Sequence, residues 1–191
     1  MKVITVTGSP HKNGNTNKVI AAISKGAREA GHEVIHYDVN DINPVTCQGC
    51  LECRKHNCDC VVDDGLKSYF PLLHEAGALV VGGPIYAGGL SGNLISYMNR
   101  HYSMLDRDWK VRLPAGIQLI GVVSQGRAEP GEYADFAKWF FDDFVRRDMQ
   151  WIETFYACGN GPIDQTDPAL LEKAYALGKA LAARSATGFR I

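Results

Sequence analysis

An excess of either charge is missing from this sequence: 20 lysines and arginines stand against 21 acidic residues, a formal net charge of -1. That balance gives no electrostatic reason for a nucleic acid or an anionic membrane as partner, so function has to be carried by a local site. A long apolar run is missing too. Lys2 is followed by a few β-branched residues broken by Thr5 and Thr7, too short for a membrane span or a secretory leader, and the expected location is the cytoplasm. Neither common nucleotide signature is present: no glycine is followed by Lys-Ser/Thr as in a P-loop, and there is no dinucleotide glycine pattern. The six histidines share no metal-ligand spacing, and no acid-base pair stands out.

What is present suits one α/β domain over 1–191, with 46% apolar and 21% charged residues and no stretch that reads as a boundary. Val3 to Thr7 reads as a strand that runs into Gly8-Ser9-Pro10-His11-Lys12-Asn13-Gly14-Asn15-Thr16 and then a helix. Gly8 and Gly14 permit unusual backbone angles and close approach. The loop amides and the positive end of the following helix converge, which is an arrangement for a phosphate. His11 is placed to assist charge there. The plainer reading is a strand-to-helix turn in which Asn15 or Thr16 caps the helix.

The rest alternates. Val19, Ile23, Ala27 and Ala30 recur at helical spacing ahead of Gly31, and Glu33 to Val39 reads as a second strand. Asp63 and Asp64 are placed to cap a helix carrying Leu66, Tyr69, Phe70 and Leu73. Ala78 to Val81 is a continuous apolar run, as in a strand covered on both faces. It ends in Gly82-Gly83-Pro84-Ile85-Tyr86-Ala87-Gly88-Gly89, and Leu90, Leu94, Met98 and Tyr102 step onward by four as a helix. Ile117 to Val123 and Trp151 to Ala157 read as the last two strands. They are separated by the loop Ser124-Gln125-Gly126-Arg127 and a helix with Phe136, Trp139, Phe140 and Phe144. Asp167-Pro168 opens a terminal helix buried through Leu170, Ala174, Leu177 and Leu181.

Five strand-helix alternations predict a doubly wound parallel sheet in the order 2-1-3-4-5 with helices on both faces. The ligand crevice then opens beyond strands one and three, where the winding reverses. The first loop suits a phosphate, the second a planar heteroaromatic ring beside Tyr86, and Ser124 to Arg127 closes the third side. Gly159-Asn160-Gly161 is too slight to mark a second nucleotide site.

Five of the six cysteines fall between Cys47 and Cys60. In a reducing compartment these read as metal ligands or redox thiols rather than disulfides. Cys47, Cys50 and Cys53 are spaced by two residues each, so one loop can offer three thiolates to three corners of a cubic cluster, with Cys58 or Cys60 as the fourth. Four-thiolate zinc and metal-free thiols are the other readings of this loop. Cys158 reads as an ordinary buried cysteine.

Gly8-Ser9-Pro10, Gly14-Asn15-Thr16 and Gly83-Pro84-Ile85-Tyr86 leading to Ser91-Gly92 and Arg100 resemble the NADPH-dependent FMN reductase branch of the flavodoxin-like flavoproteins. The cysteine loop resembles its iron-sulfur flavoprotein members, and the likeness runs from Met1 to about Cys158. It implies FMN, with Ser9, Asn13, Asn15 and Thr16 at the phosphate and Pro84, Ile85, Tyr86, Ala87 and Gly88 along the ring. His11 in the first loop and Ser124 and Gly126 in the third complete the candidate binding residues by their place in the loops. It also implies a 4Fe-4S cluster on Cys47, Cys50, Cys53 and either Cys58 or Cys60. Of the two, Cys58 is preferred, although the family's last cysteine precedes an acidic pair and Cys60 is nearer to Asp63-Asp64, so both stay open.

Asn99 departs from the family, which usually has aspartate before the arginine. The implied activity is electron transfer between NAD(P)H or a reduced carrier and a small-molecule or protein acceptor, in a homodimer or homotetramer. The alternatives are a cluster-free NAD(P)H-dependent FMN or quinone reductase, and a non-catalytic electron carrier or zinc-stabilised binding protein.

Overall fold

The computed structural model of the chain describes residues 1–159 and 166–182. Its strands are β1 (Lys2–Thr7), β2 (Glu33–Asp38), β3 (Ala76–Tyr86), β4 (Gly89–Leu90), β5 (Gln118–Gln125) and β6 (Gln150–Cys158). Its helices are α1 (Asn15–Glu29), α2 (Val39–Ile42), α3 (Glu52–His56), α4 (Tyr69–Glu75), α5 (Gly92–Arg100), α6 (Ala134–Val145) and α7 (Pro168–Ala180).

Five strands pair in parallel in the order β2-β1-β3-β5-β6, which is the doubly wound order expected. The sheet has six strands rather than five, because β4 pairs antiparallel with the end of β3 through Ile85–Leu90 and Tyr86–Gly89. The intervening Ala87 (φ 49) and Gly88 (φ 84) are both left-handed, the backbone of a two-residue hairpin turn. Leu90 therefore belongs to this hairpin and not to the helix expected to begin there, which starts at Gly92.

Side-chain alternation divides the core. Ile4, Val6, Leu79, Val81, Leu119 and Val123 face α4, α5 and α6, where Tyr69, Phe70, Tyr97, Phe140 and Phe144 are fully buried. Truncating one of these aromatics would cost on the order of 3–5 kcal/mol. Val3, Ala78, Val80, Ile120, Val122 and Phe155 face α1 and α7. The central strands are buried on both faces, as the unbroken apolar run from Ala78 to Val81 foretold for β3. The two helices on that second face touch backbone to backbone: a Cβ on Gly178 would lie 2.0 Å from the Ile23 carbonyl oxygen.

The acidic pair before α4 does something other than cap that helix. Ser68 is the N-cap, with no side-chain bond, while Asp63 pairs with Lys67 at 2.9 Å. Asp64 accepts from the Leu66 and Val45 amides, each at 3.0 Å, and binds Arg100. A buried guanidinium outcompetes a helix end for a carboxylate. At α7 the expected cap is in place, with Asp167 accepting from the Ala169 amide at 2.9 Å. Among the described residues no helix is long and apolar enough to cross a membrane.

Candidate functional site

The loops leaving β1, β3 and β5 meet around a crevice of about 230 Å³. Its walls include Ser9, His11 and Asn15 from the first loop, Pro84, Ile85 and Tyr86 from the second, and Ser124 and Gly126 from the third. Gly14, Gln125 and Gly159 join them, and Gln125, which the sequence placed in the third loop without a role of its own, is the side chain among them. Asn13, Thr16, Ala87 and Gly88 are outside the wall. Asn13 is exposed, and Thr16 is fully buried with its hydroxyl 2.8 Å from that of Ser124. Ala87 and Gly88 form the exposed tip of the hairpin.

The glycines of the first loop act differently from the expectation of unusual angles. Gly14 has φ -75, and Gly8 is not among the positive-φ residues. Gly8 is needed for approach: a Cβ there would lie 2.3 Å from Leu94 Cγ, where α5 packs beneath the loop. Ser91 donates to the Gly8 carbonyl at 3.0 Å, and the Gly8 amide donates to Gly82 at 2.8 Å. Asn17 Nδ2 and the Gly14 amide both donate to the His11 carbonyl at 2.9 Å, curling the loop over the end of β1.

Two features leave room for an anionic, ring-bearing ligand. Neither Asn15 nor Thr16 caps α1: its N-cap is Gly14, with no side-chain bond and no acidic residue in the first turn. A 15-residue helix therefore points unspent amides and the positive end of its dipole at the crevice. The second feature is Gln125, 7% exposed, whose Oε1 has no hydrogen-bond partner among the described residues. Its Nε2 donates to the carbonyls of Glu129 at 2.7 Å and Arg127 at 3.3 Å. Those two carbonyls fix the amide's orientation, since exchanging N and O would set oxygen against oxygen. The free Oε1 is then an acceptor waiting for a donor, such as the imide N–H of a flavin's pyrimidine edge. Both features fit FMN. Tyr86, 47% exposed, stands at the rim.

A larger hollow of about 450 Å³ lies on the outer flank between α1 and β2. Its walls come from α1, β2 and α2, and the first loop contributes Lys12, which is held by Asp38 at 2.7 Å and Asp41 at 2.8 Å.

The cysteine loop forms a second centre. Cys47, Cys50, Cys53 and Cys60 line one enclosed hollow together with Arg100, Tyr102 and Ser103. Cys58 is outside this wall, its Sγ 3.9 Å from the Glu52 carbonyl. Burial pushes the Cys53 thiol up, and the thiols of Cys60, Cys50 and Cys47 add to the rise. Gly49 (φ 63), Leu51 (φ 62) and Asn57 (φ 49) are left-handed, so the loop turns sharply about its thiols. Among the described residues no three ligands are gathered tightly enough for a single metal ion. The hollow's free volume, about 10 Å³, is roughly that of one water. The donor set itself, four thiols with no carboxylate or imidazole in the wall, suits iron-sulfur chemistry. Cys158 is half-exposed at the end of β6, opposite Gln125 in the ladder, rather than buried. Of Gly159-Asn160-Gly161, the last two lie outside the described residues.

The comparisons agree with this geometry. The family model described as NADPH-dependent FMN reductase matches residues 1–131. An iron-sulfur flavoprotein of Methanosarcina thermophila is 26% identical over 119 residues, 62% of this chain and 62% of that protein. One from Archaeoglobus fulgidus is 27% identical over 194 residues, covering 100% of this chain and 83% of its own. The first four curated relatives are spanned over 62%, 48%, 51% and 64% of their lengths. Among solved structures, the NAD(P)H:quinone oxidoreductase from Methanothermobacter marburgensis superposes with TM-score 0.73 at 16% identity, over 97% of this chain and 98% of that one. The azoreductase AzrA gives 0.70 at 16% identity, over 94% and 100%. At such identities the structural likeness speaks for the fold.

Proposed function

The chain belongs to the NADPH-dependent FMN reductase family, and on that premise we propose that it is an FMN-dependent oxidoreductase taking electrons from a nicotinamide or a reduced carrier. The observation that carries this reading is the uncapped N-terminus of α1 at a crevice that keeps one buried acceptor, Gln125 Oε1, without a partner. Bound FMN supplies the hydride and single-electron chemistry. The protein's work is placement. The amides of the first turn of α1, with Ser9 and Asn15, hold the phosphate. His11, exposed at the loop's edge, adds a donor beside it. Gln125 orients the ring through its pyrimidine edge. Pro84 and Ile85 form the inner wall, while the half-exposed Tyr86 bounds an open side through which a nicotinamide or an acceptor reaches the ring.

The finer part of the proposal is a 4Fe-4S cluster on Cys47, Cys50, Cys53 and Cys60. It is supported by the four-thiol hollow and by relatives named iron-sulfur flavoproteins. A second reading, a cluster-free NAD(P)H-dependent reductase, is favoured by the hollow's small volume and the lack of a tight ligand group among the described residues.

The deciding experiment is anaerobic purification with FMN, iron and acid-labile sulfide assayed on one sample, followed by oxidation of NADPH or NADH. One FMN per chain with about four iron and four sulfide is expected for the cluster form. FMN and NAD(P)H oxidation without iron selects the second reading. Failure to hold FMN after reconstitution overturns both.

A further inference from the structure

The side chain of Arg100 is fully buried at the end of α5, and all five of its N–H groups are spent around the cysteine loop. Nε donates to Cys60 Sγ at 3.0 Å. One terminal nitrogen reaches the Val45 carbonyl at 2.8 Å and Asp64 Oδ2 at 2.5 Å. The other reaches the Val62 carbonyl at 3.3 Å and Asp64 Oδ1 at 3.4 Å. One guanidinium thus clamps the segment entering the loop at Val45 and the segment leaving it at Cys60 to Val62. Asn99, its neighbour, adds a bond from Nδ2 to Thr46 Oγ1 at 3.3 Å. The opposite end of α5 supports the flavin loop through Ser91 and Leu94. Its nine residues make a rigid rod of about 14 Å between crevice and thiols.

An ion pair with Asp64 alone would account for burying an arginine, but it would not require the fork to be shared with a sulfur. Cys58, two residues earlier, receives no such donor among the described residues: its own thiol lies 3.9 Å from the Glu52 carbonyl, at the edge of hydrogen-bond range.

We propose that Arg100 is a positioning residue for the cluster: it selects Cys60 as the fourth thiolate and, through its N–H···S bond and its charge, holds the cluster's reduction potential up. The inference rests on the cluster reading given above. Hydrogen bonds to ligand sulfurs and nearby positive charge favour the more negative, reduced state, so losing them lowers the potential.

The test uses the protein purified anaerobically with its FMN, comparing wild type with Arg100→Lys and Arg100→Gln by redox titration followed by EPR. Lysine keeps the charge beside Asp64 but not the fork, and glutamine removes both. The potential is expected to fall from wild type to R100K and again to R100Q, with the EPR signal of the reduced cluster altered and FMN content and melting temperature of R100K close to wild type. Should R100Q fail to fold because Asp64 is left buried and unpaired, R100Q/D64N removes both charges together and takes its place. Variants with the wild-type potential and EPR signal overturn the role of Arg100 while leaving the cluster reading intact. Wild-type protein that holds FMN but neither iron nor sulfide overturns the cluster reading and this inference with it.

Discussion

The hydroxyls of Thr16 and Ser124, 108 residues apart, lie 2.8 Å from each other and join the first turn of α1 to the end of β5. Thr16 is fully buried, and the contact ties two walls of the crevice together. Replacing it with the isosteric valine removes one neutral hydrogen bond, worth about 1 kcal/mol. Thr16→Val should bind FMN about fivefold more weakly by fluorescence titration, with Ser124→Ala matching it and the double variant no worse than either. Undiminished affinity in Thr16→Val would mean that the two loops keep their spacing without this bond.

Gln125 makes a different prediction, because its Oε1 has no partner among the described residues before the ligand arrives. Gln125→Leu should weaken FMN binding about tenfold, the value of one buried hydrogen bond, while changing the melting temperature of the flavin-free protein little. The Glu129 and Arg127 carbonyls that it frees belong to exposed residues and can turn to water. Equal loss of stability with and without FMN would assign Gln125 to the fold rather than to the ligand.

Most of the architecture was legible because the signals were local. Apolar runs at β1, β3 and β5 and helical spacing in α1 and α6 forced the doubly wound order. What escaped depends on contacts between distant segments. The β4 hairpin turns on Ala87-Gly88, and alanine is an uncommon first residue for a left-handed pair, so the usual asparagine-glycine sign was absent. Asp64 read as a cap because its partner Arg100 lies 36 residues further on. The bond from Arg100 to Cys60, which Cys58 lacks, spans 40 residues, and no spacing rule could have supplied it. Gln125 escaped because an unpaired oxygen is visible only once its surroundings are known.

The contact between α1 and α7 offers a test of the fold. A methyl group on Gly178 would collide with the Ile23 carbonyl, a backbone atom with no rotamer to yield. Gly178→Ala should cost about 3 kcal/mol in urea unfolding by overpacking. Gly131→Ala, which meets nothing within 4 Å, serves as the control. Matching midpoints for the two variants would show that the helices separate freely.

A buried polar chain sets the acid limit. Tyr97 and Tyr69 hydroxyls are 2.6 Å apart, and Tyr69 is 2.9 Å from His101 Nε2. His101 Nδ1 lies 3.1 Å from the Tyr97 carbonyl, so Nδ1 carries the proton and Nε2 accepts. Burial, reinforced by Arg147, pushes His101 down to about 3. The unfolded chain binds that proton near pH 6.5 and the folded one does not, so stability falls as pH drops from about 6.5 toward 3. The slope attributable to His101 approaches about 1.4 kcal/mol per pH unit, before carboxylates such as Asp38 and Asp106, both held below their ordinary values, add to it. His101→Gln keeps an acceptor and a donor but does not titrate, so its urea midpoint should fall less than that of wild type from pH 6.5 to 4.5, the remaining slope coming from groups such as His36, which burial also holds below its ordinary value. A variant as acid-sensitive as wild type would place the titrating group elsewhere.

Cys58 and Cys60 separate the two candidates for fourth ligand in a single comparison. Both are half-exposed, two residues apart, and either satisfies the spacing after Cys53. Only Cys60 lines the hollow shared by Cys47, Cys50 and Cys53, and only its sulfur receives the arginine's N–H. Cys60→Ala should therefore lose most of its iron and sulfide on anaerobic purification while keeping FMN, because the flavin loops take no residue from this segment. Cys58→Ala should keep all three. Among the described residues its thiol bonds to the Glu52 carbonyl alone, so its removal strands no charge or donor there. The opposite outcome, iron lost with Cys58 and retained without Cys60, would mean that cluster assembly redraws the loop around Asn57 and breaks the bond between Cys60 and Arg100.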